Sequence, residues 1–285
     1  MPSPLGPVPG LGHAELVSAH PLLRVDEAST VRESAPIAEE VPIALIYNGE
    51  PFVVVMASPS DFEDLAIGFS VTEGIVTSAS DARIVDVVRH SRGVELQMTI
   101  PDEAAGRIAE RRRGISARTG CGVCGIESID EVLRAPRKVE TTARFETEAL
   151  WLAAAELETR QPVNSETRAV HAAALANGEG HLVIVREDVG RHNALDKVVG
   201  AMLREPSLRS APDDKFLVVT SRASYELVQK TAAAGIALLA AVSRPTSLAI
   251  QLAEQANITL VGLLRGRSAN VYSHPARLGL TSLHR

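Results

Sequence analysis

The chain is poor in cysteine, with only Cys121 and Cys124 in 285 residues. Two thiols in a chain this long do not make a disulfide scaffold. Aromatic residues are scarce at 3%, so the core must come from the alanine, valine and leucine that dominate the 45% hydrophobic content. No apolar stretch approaches the roughly 18 residues of a spanning helix; the longest, Ala232 to Val242, is too short. No membrane association is expected. Basic charge is not in excess either. Lys and Arg number 29 against 35 Asp and Glu, a net charge of −6, which is no electrostatic footprint for nucleic acid. The N-terminus lacks the basic and apolar regions of a secretory leader. A cytoplasmic protein with reduced thiols is the expectation.

Against that background the two cysteines stand together in Thr119-Gly120-Cys121-Gly122-Val123-Cys124-Gly125. A CxxC pair serves as half a zinc site, a redox disulfide or a sulfur relay. Zinc takes about four ligands, and no second CxxC or paired histidine supplies the rest, so no structural metal is expected. A thioredoxin-type motif follows a strand and opens a helix; here Arg111-Arg112-Arg113-Gly114-Ile115-Ser116-Ala117-Arg118 precedes it. The glycines point to a flexible exposed loop. Nearby arginines favour the thiolate. The plain alternative is a pair of buried cysteines acting as small hydrophobes.

The pattern along the chain predicts an α/β protein with two unequal parts. Four prolines and three glycines in the first twelve residues mark residues 1–35 as a mobile tail. A small α+β domain is expected over 36–115. Asn48-Gly49 joins two strand-like runs as a hairpin, Ser60-Asp61 precede a helix beginning near Phe62, a second hairpin turns near Ser91-Arg92-Gly93, and a charged helix spans Asp102 to Arg113. Residues 116–140 are read as the flexible cysteine-bearing loop. From 141 to 285 strands and helices alternate, which implies a parallel sheet covered by helices. Leu195, Val198, Val199, Met202 and Leu203 give one of these helices an apolar face.

Three strand-to-helix or strand-to-turn junctions of this second domain are polar. The first holds Asp188, Gly190, Arg191, His192 and Asn193; the second Ser221, Arg222 and Ser224; the third Arg265-Gly266-Arg267-Ser268. Each has a plain reading as a cap or solvated turn. Their common place at the C-terminal ends of strands, where α/β sheets bind ligands, points to a phosphate-bearing ligand. Lys197 and Lys230 are read as solvated helix charges. His171 is read as a core or pocket-wall histidine as readily as a functional one.

The segment Arg186-Glu187-Asp188-Val189-Gly190-Arg191-His192-Asn193-Ala194-Leu195-Asp196-Lys197 resembles the signature of the FdhD family, sulfur carriers needed for formate dehydrogenase activity. The cysteine loop is similar to the family's CxxC loop. So are Gly68-Phe69 with Glu73-Gly74-Ile75, Ser221-Arg222 with Ser224-Tyr225-Glu226, and Val271-Tyr272-Ser273. The resemblance covers about residues 38 to 280. It implies a sulfurtransferase that accepts persulfide sulfur from a cysteine desulfurase and passes it to the molybdenum bis-guanine-dinucleotide cofactor of formate dehydrogenase. Cys121 would carry the persulfide, with Cys124 assisting. Leu263, Leu264, Arg265, Gly266, Arg267 and Ser268 would contact the cofactor. A cytidine deaminase-like three-layer fold and a homodimer are implied as well. Two other functions compete: a cofactor-binding chaperone that moves no sulfur, and a thiol–disulfide oxidoreductase. The chain departs from the family at Thr167-Arg168-Ala169-Val170-His171, where a glycine-rich turn is usual; Arg and Ala take positive φ less readily than Gly.

Overall fold

The computed structural model describes residues 16–109, 136–210 and 212–281. The first element is a two-stranded antiparallel ribbon, β1 (Val17–Val25) and β2 (Thr30–Ala38). It corrects the expectation of a tail through residue 35. Proline and glycine are dense only in the first twelve residues. Pro21 and Pro36 are tolerated because every strand of a two-stranded ribbon is an edge strand. Asp26 turns the ribbon by accepting the Ala28 and Ser29 N–H groups at 2.9 Å. Leu23 and Val25 remain exposed on one face.

The small unit is a four-stranded sheet of order β4-β3-β6-β5 with one helix against it. Strands β3 (Val41–Tyr47) and β4 (Glu50–Ala57) form the expected hairpin, with Asn48 at φ 51° and Gly49 at φ 82°. Positive φ at both central residues matches the right-handed twist of the strands. Strands β5 (Arg83–His90) and β6 (Gly93–Thr99) form the second hairpin, and β6 pairs parallel with β3. Helix α1 (Phe62–Thr72) covers the sheet through Leu65, which packs with Ile43, Leu45 and Leu96. Residues 102–109 are helical.

The large unit is a six-stranded sheet of order β12-β11-β10-β9-β7-β8. Its strands are β7 (His171–Asn177), β8 (Leu182–Asp188), β9 (Lys215–Val219), β10 (Leu238–Ala241), β11 (Thr259–Arg265) and β12 (Ser268–Val271). Period-2 alternation buries both faces. Ala173, Leu175, Leu217 and Val219 pack under helices α4 (Arg191–Arg204), α5 (Tyr225–Ala233) and α6 (Ser247–Ala256). Ala172, Ala174, Phe216 and Val218 pack under α2 (Thr147–Thr159). The short α3 (Pro162–Thr167) follows α2. Val139, inside the span read as cysteine loop, is already buried in this core and donates its N–H to Ala256 O at 2.9 Å.

The sheet is mixed, not parallel as expected. β9, β10 and β11 are parallel, but β7 runs antiparallel between β9 and β8, and β12 is antiparallel to β11. The source of the difference is β7. Its alanine-rich sequence has weak strand propensity, so it was legible only as an apolar setting for His171. Because β8 and β9 are both antiparallel to β7, they run the same way. The C-terminal ends of β8, β9, β10 and β11 therefore share one edge with the start of β7.

The two units meet where α1 crosses α4, and two glycines set the closeness. A Cβ on Gly68 would lie 1.8 Å from Asp196 O, and one on Gly200 would lie 1.8 Å from Asp64 O. Buried ion pairs flank the crossing. Asp196 takes Lys230 Nζ at 3.0 Å and Thr72 Oγ1 at 2.6 Å. Asp64 accepts Arg186 at 2.7 Å and Arg204 at 2.6 Å. Lys197 and Lys230, read as solvated charges, are 0% and 5% exposed. The helical spacing showed which face was apolar but not that a second unit lies over the polar residues.

Candidate functional site

The shared edge gathers all three polar junctions, with His171 beside them. At the first junction the residues divide by depth. Asp188 is fully buried, and both of its oxygens are occupied. Oδ2 accepts Lys197 Nζ at 2.7 Å and Ser58 N–H at 3.1 Å; Oδ1 accepts Gly190 N–H at 2.8 Å and Asn193 Nδ2 at 3.1 Å. Asn193 also donates to Met56 O at 2.8 Å. Ser58 donates its N–H to Asp188 and accepts Val189 N–H at 3.1 Å on Oγ. These residues join the two units. Asp188, expected to contact cofactor, has both carboxylate oxygens engaged within the protein, Asn193 turns its amide nitrogen inward, and neither side chain caps α4, whose N-cap is Gly190.

Arg191 and His192 lie outside that lock, half-buried at the start of α4. His192 Nε2 is 2.6 Å from Glu226 Oε2, and Arg191 is 4.0 Å from the same oxygen. The close contact with His192 holds the Glu226 carboxyl below its usual range, helped by the positive charge of Arg191. Arg191 Nε is buried without a hydrogen-bond partner among the described residues. His171, half-buried across the hairpin from Asp188, has its pKa lowered below the ordinary value of 6.5, first by burial and then by the charges of Arg191 and His192.

At the second junction Ser221 is buried and donates to Arg222 O at 3.1 Å, while Arg222 is exposed. Ser224 occupies the N-cap position of α5 but makes no side-chain cap, and its Oγ is buried without a partner among the described residues. At the third, Leu264 is buried, whereas Arg265, Gly266, Arg267 and Ser268 form the exposed turn between β11 and β12. Leu263 and Gly266 both sit at φ 54°. Arg168 also adopts positive φ, 54°, closing α3 with its N–H on Asn164 O at 2.9 Å. The backbone bend before His171 is thus made without glycine.

Cys121 and Cys124, with Arg111, Arg112, Arg113 and Arg118, lie outside the described residues. Sequence reasoning missed a cleft of about 380 Å³ beside the edge, between α2 and the end of β11; Trp151, Glu158, Arg265 and Gly266 are among its lining residues. The available signal was the helical spacing of Trp151, Ala154, Ala155 and Glu158.

The edge is cationic and is built on a mixed α/β sheet. The comparisons give the family. Residues 38–279 match the FdhD/NarQ family model. The sulfur carrier protein FdhD of Xanthomonas euvesicatoria pv. vesicatoria is 50% identical over 257 residues, covering 90% of each chain. The protein of the same name from Cupriavidus necator is 50% identical over 245 residues, covering 85% of this chain and 83% of that one. A crystal structure assigned to a formate dehydrogenase accessory protein from Desulfotalea psychrophila superposes with a TM-score of 0.73 at 24% identity, over 93% of this chain and all of that one. The chain belongs to the FdhD/NarQ family. Among the described residues no helix is long and apolar enough to cross a membrane.

Proposed function

We propose that this protein is a cytoplasmic sulfurtransferase that carries sulfur as a cysteine persulfide to the molybdenum bis-guanine-dinucleotide cofactor destined for formate dehydrogenase. Its half-identical relatives are named sulfur carriers. The observation that carries the reading is the single edge at which Arg191, His192, Arg222, Arg265 and Arg267 collect, suited to the phosphates of a dinucleotide. Arg191 Nε and Ser224 Oγ, buried without partners among the described residues, are donors available there. The likeness to the cytidine deaminase fold belongs to the same reading; their zinc signature is absent from the sequence, so deamination is not part of it.

In this reading the Cys121 thiolate attacks the outer sulfur of a desulfurase persulfide. The donor S–S bond breaks, a new S–S bond forms on Cys121, and the donor thiolate leaves. Cys124 assists. Cys121 lies twelve positions beyond residue 109 and Cys124 twelve positions before residue 136, a contour of up to about 40 Å on either side. The partners are the desulfurase, formate dehydrogenase and a second copy of this chain. The exposed apolar ribbon face with Leu23 and Val25 supports the homodimer.

The test is to incubate the protein with a cysteine desulfurase and cysteine, and to map adducts by intact-mass and peptide mass spectrometry. One added sulfur on Cys121, absent from Cys121→Ala with its fold unchanged, is the expected result. No adduct, with the desulfurase active on another acceptor, would leave the protein a cofactor-binding chaperone.

A further inference from the structure

One carboxylate sits among the cations of the edge. Glu226 Oε2 lies 2.6 Å from His192 Nε2 and 4.0 Å from Arg191. Among the described residues it is the one carboxylate within ion-pair reach of either. Arg191 Nε, His192 Nε2 and Ser224 Oγ are buried at the same place without a completed hydrogen bond among the described residues. An arginine side chain only donates. Donors gathered without acceptors of their own suit a phosphate-like anion, and Glu226 stands against two of these residues.

The register of the two helices shows how Glu226 can leave. His192 and Asp196 are four residues apart on α4, and Glu226 and Lys230 are four apart on α5, so each pair shares a helix face. The helices therefore meet in two rungs of opposite polarity, His192–Glu226 above and Asp196–Lys230 below. The lower rung is buried. Lys230 Nζ reaches Asp196 at 3.0 Å, Thr72 at 3.1 Å and Glu73 at 2.5 Å, so it ties both helices to the small unit. The upper rung is open to solvent, with the Glu226 side chain 58% exposed. An ion pair exposed to that degree contributes little to stability. With α5 held from below, Glu226 can rotate into solvent at small cost and without moving either helix.

We propose that Glu226 is a built-in counter-ion of the edge, which an incoming anion must displace from Arg191 and His192. It lowers the affinity for anions, and it returns to the two cations as an anion departs. Both properties suit a carrier, which has to hand on what it binds. This rests on the reading of the edge as an anion site and adds the residue that regulates it. A purely structural Glu226 has the opposite consequence. If it only held Arg191 and His192 in place, removing its charge would loosen them and weaken anion binding.

The probe is inorganic pyrophosphate, titrated into the full chain by calorimetry at constant salt. Glu226→Gln keeps the shape of the side chain and removes its charge. A like charge about 4 Å away costs a monovalent ion about fivefold in affinity even in bulk water. Pyrophosphate carries more than one charge, so Glu226→Gln should bind it at least about tenfold tighter than the parent. The variant should unfold in urea at the parent's midpoint, because the lower rung is intact. Adding Arg191→Gln to Glu226→Gln should remove the gain. Unchanged or weaker binding by Glu226→Gln would overturn the counter-ion role and leave the anion edge standing. A gain that survives Arg191→Gln would put the anion elsewhere and overturn that role as well. No pyrophosphate binding by either the parent or Glu226→Gln would overturn both.

Discussion

Gly200→Ala separates two opposed expectations. In an isolated helix the change is favourable by about 1 kcal/mol, because alanine is the better helix former. Here Gly200 lies in α4 against the backbone of α1. The added Cβ would sit 1.8 Å from Asp64 O, 2.6 Å from its carbonyl carbon and 2.9 Å from its Cα. All three are backbone atoms, so no side chain can rotate aside. Restoring ordinary contact requires the helices to part by roughly 1.5 Å, at an overpacking cost of about 1–3 kcal/mol. Parting also stretches the Thr72–Asp196 hydrogen bond and the Asp64–Arg186 pair at the same crossing. Weakening even one partly desolvated pair adds a further ~1–2 kcal/mol, a fraction of the cost of breaking it outright. After the propensity gain, a net loss of about 1–4 kcal/mol remains. Urea unfolding followed by circular dichroism reads this as a lower midpoint at similar slope, or as two transitions if the units separate first. A variant as stable as the parent, or more so, would refute the tight crossing.

Lys197→Met tests the other bolt between the units. It strands Asp188 in a fully buried position without its cation, at a cost of about 3–5 kcal/mol, and adding Asp188→Asn should recover much of that loss. If Lys197→Met alone is neutral in urea unfolding, the pair is not holding the junction. His171 gives a pH prediction. Its folded pKa lies below 6.5, so as pH falls through 6.5 the unfolded chain takes the proton first; stability declines across that window and levels off below the folded value. Arg191→Gln should raise the His171 titration followed by NMR only part of the way, since burial is the larger cause, and an unmoved titration would show that the Arg191 charge does not reach it.

Legibility in the sequence followed the range of the signal. The Asn48-Gly49 hairpin, α1 and the helix beginning at Arg191 are local patterns, and each appears where the spacing places it. The shared edge was legible because strand-to-helix alternation fixes which ends of strands lie together, and the antiparallel insertion of β7 leaves that relation intact. The ribbon and β7 were missed because proline at ribbon edges and alanine in a fully buried strand carry weak propensity signals. Asp61 shows a nearer limit. It stands at the N-cap of α1, as the sequence implied, but in the left-handed region at φ 52° and without a cap bond; its carboxylate instead meets Arg186 at 3.2 Å. A local capping rule yields there to a partner 125 residues away.

The signature segment shows why polar density misleads when read as ligand chemistry alone. Within one helical start, Asp188, Asn193, Asp196 and Lys197 turn inward and bind the small unit, while Arg191 and His192 turn toward the edge. The inward group is costly to bury and is stable only because each charge is paired and hydrogen-bonded. In return it fixes the orientation of α4, and with it the positions of Arg191 and His192 relative to His171 and Glu226. Substitution of an inward residue and of an outward one should therefore both reduce ligand binding, but by different routes. The inward change lowers stability and binding together; the outward change lowers binding in a chain that unfolds at the parent's midpoint.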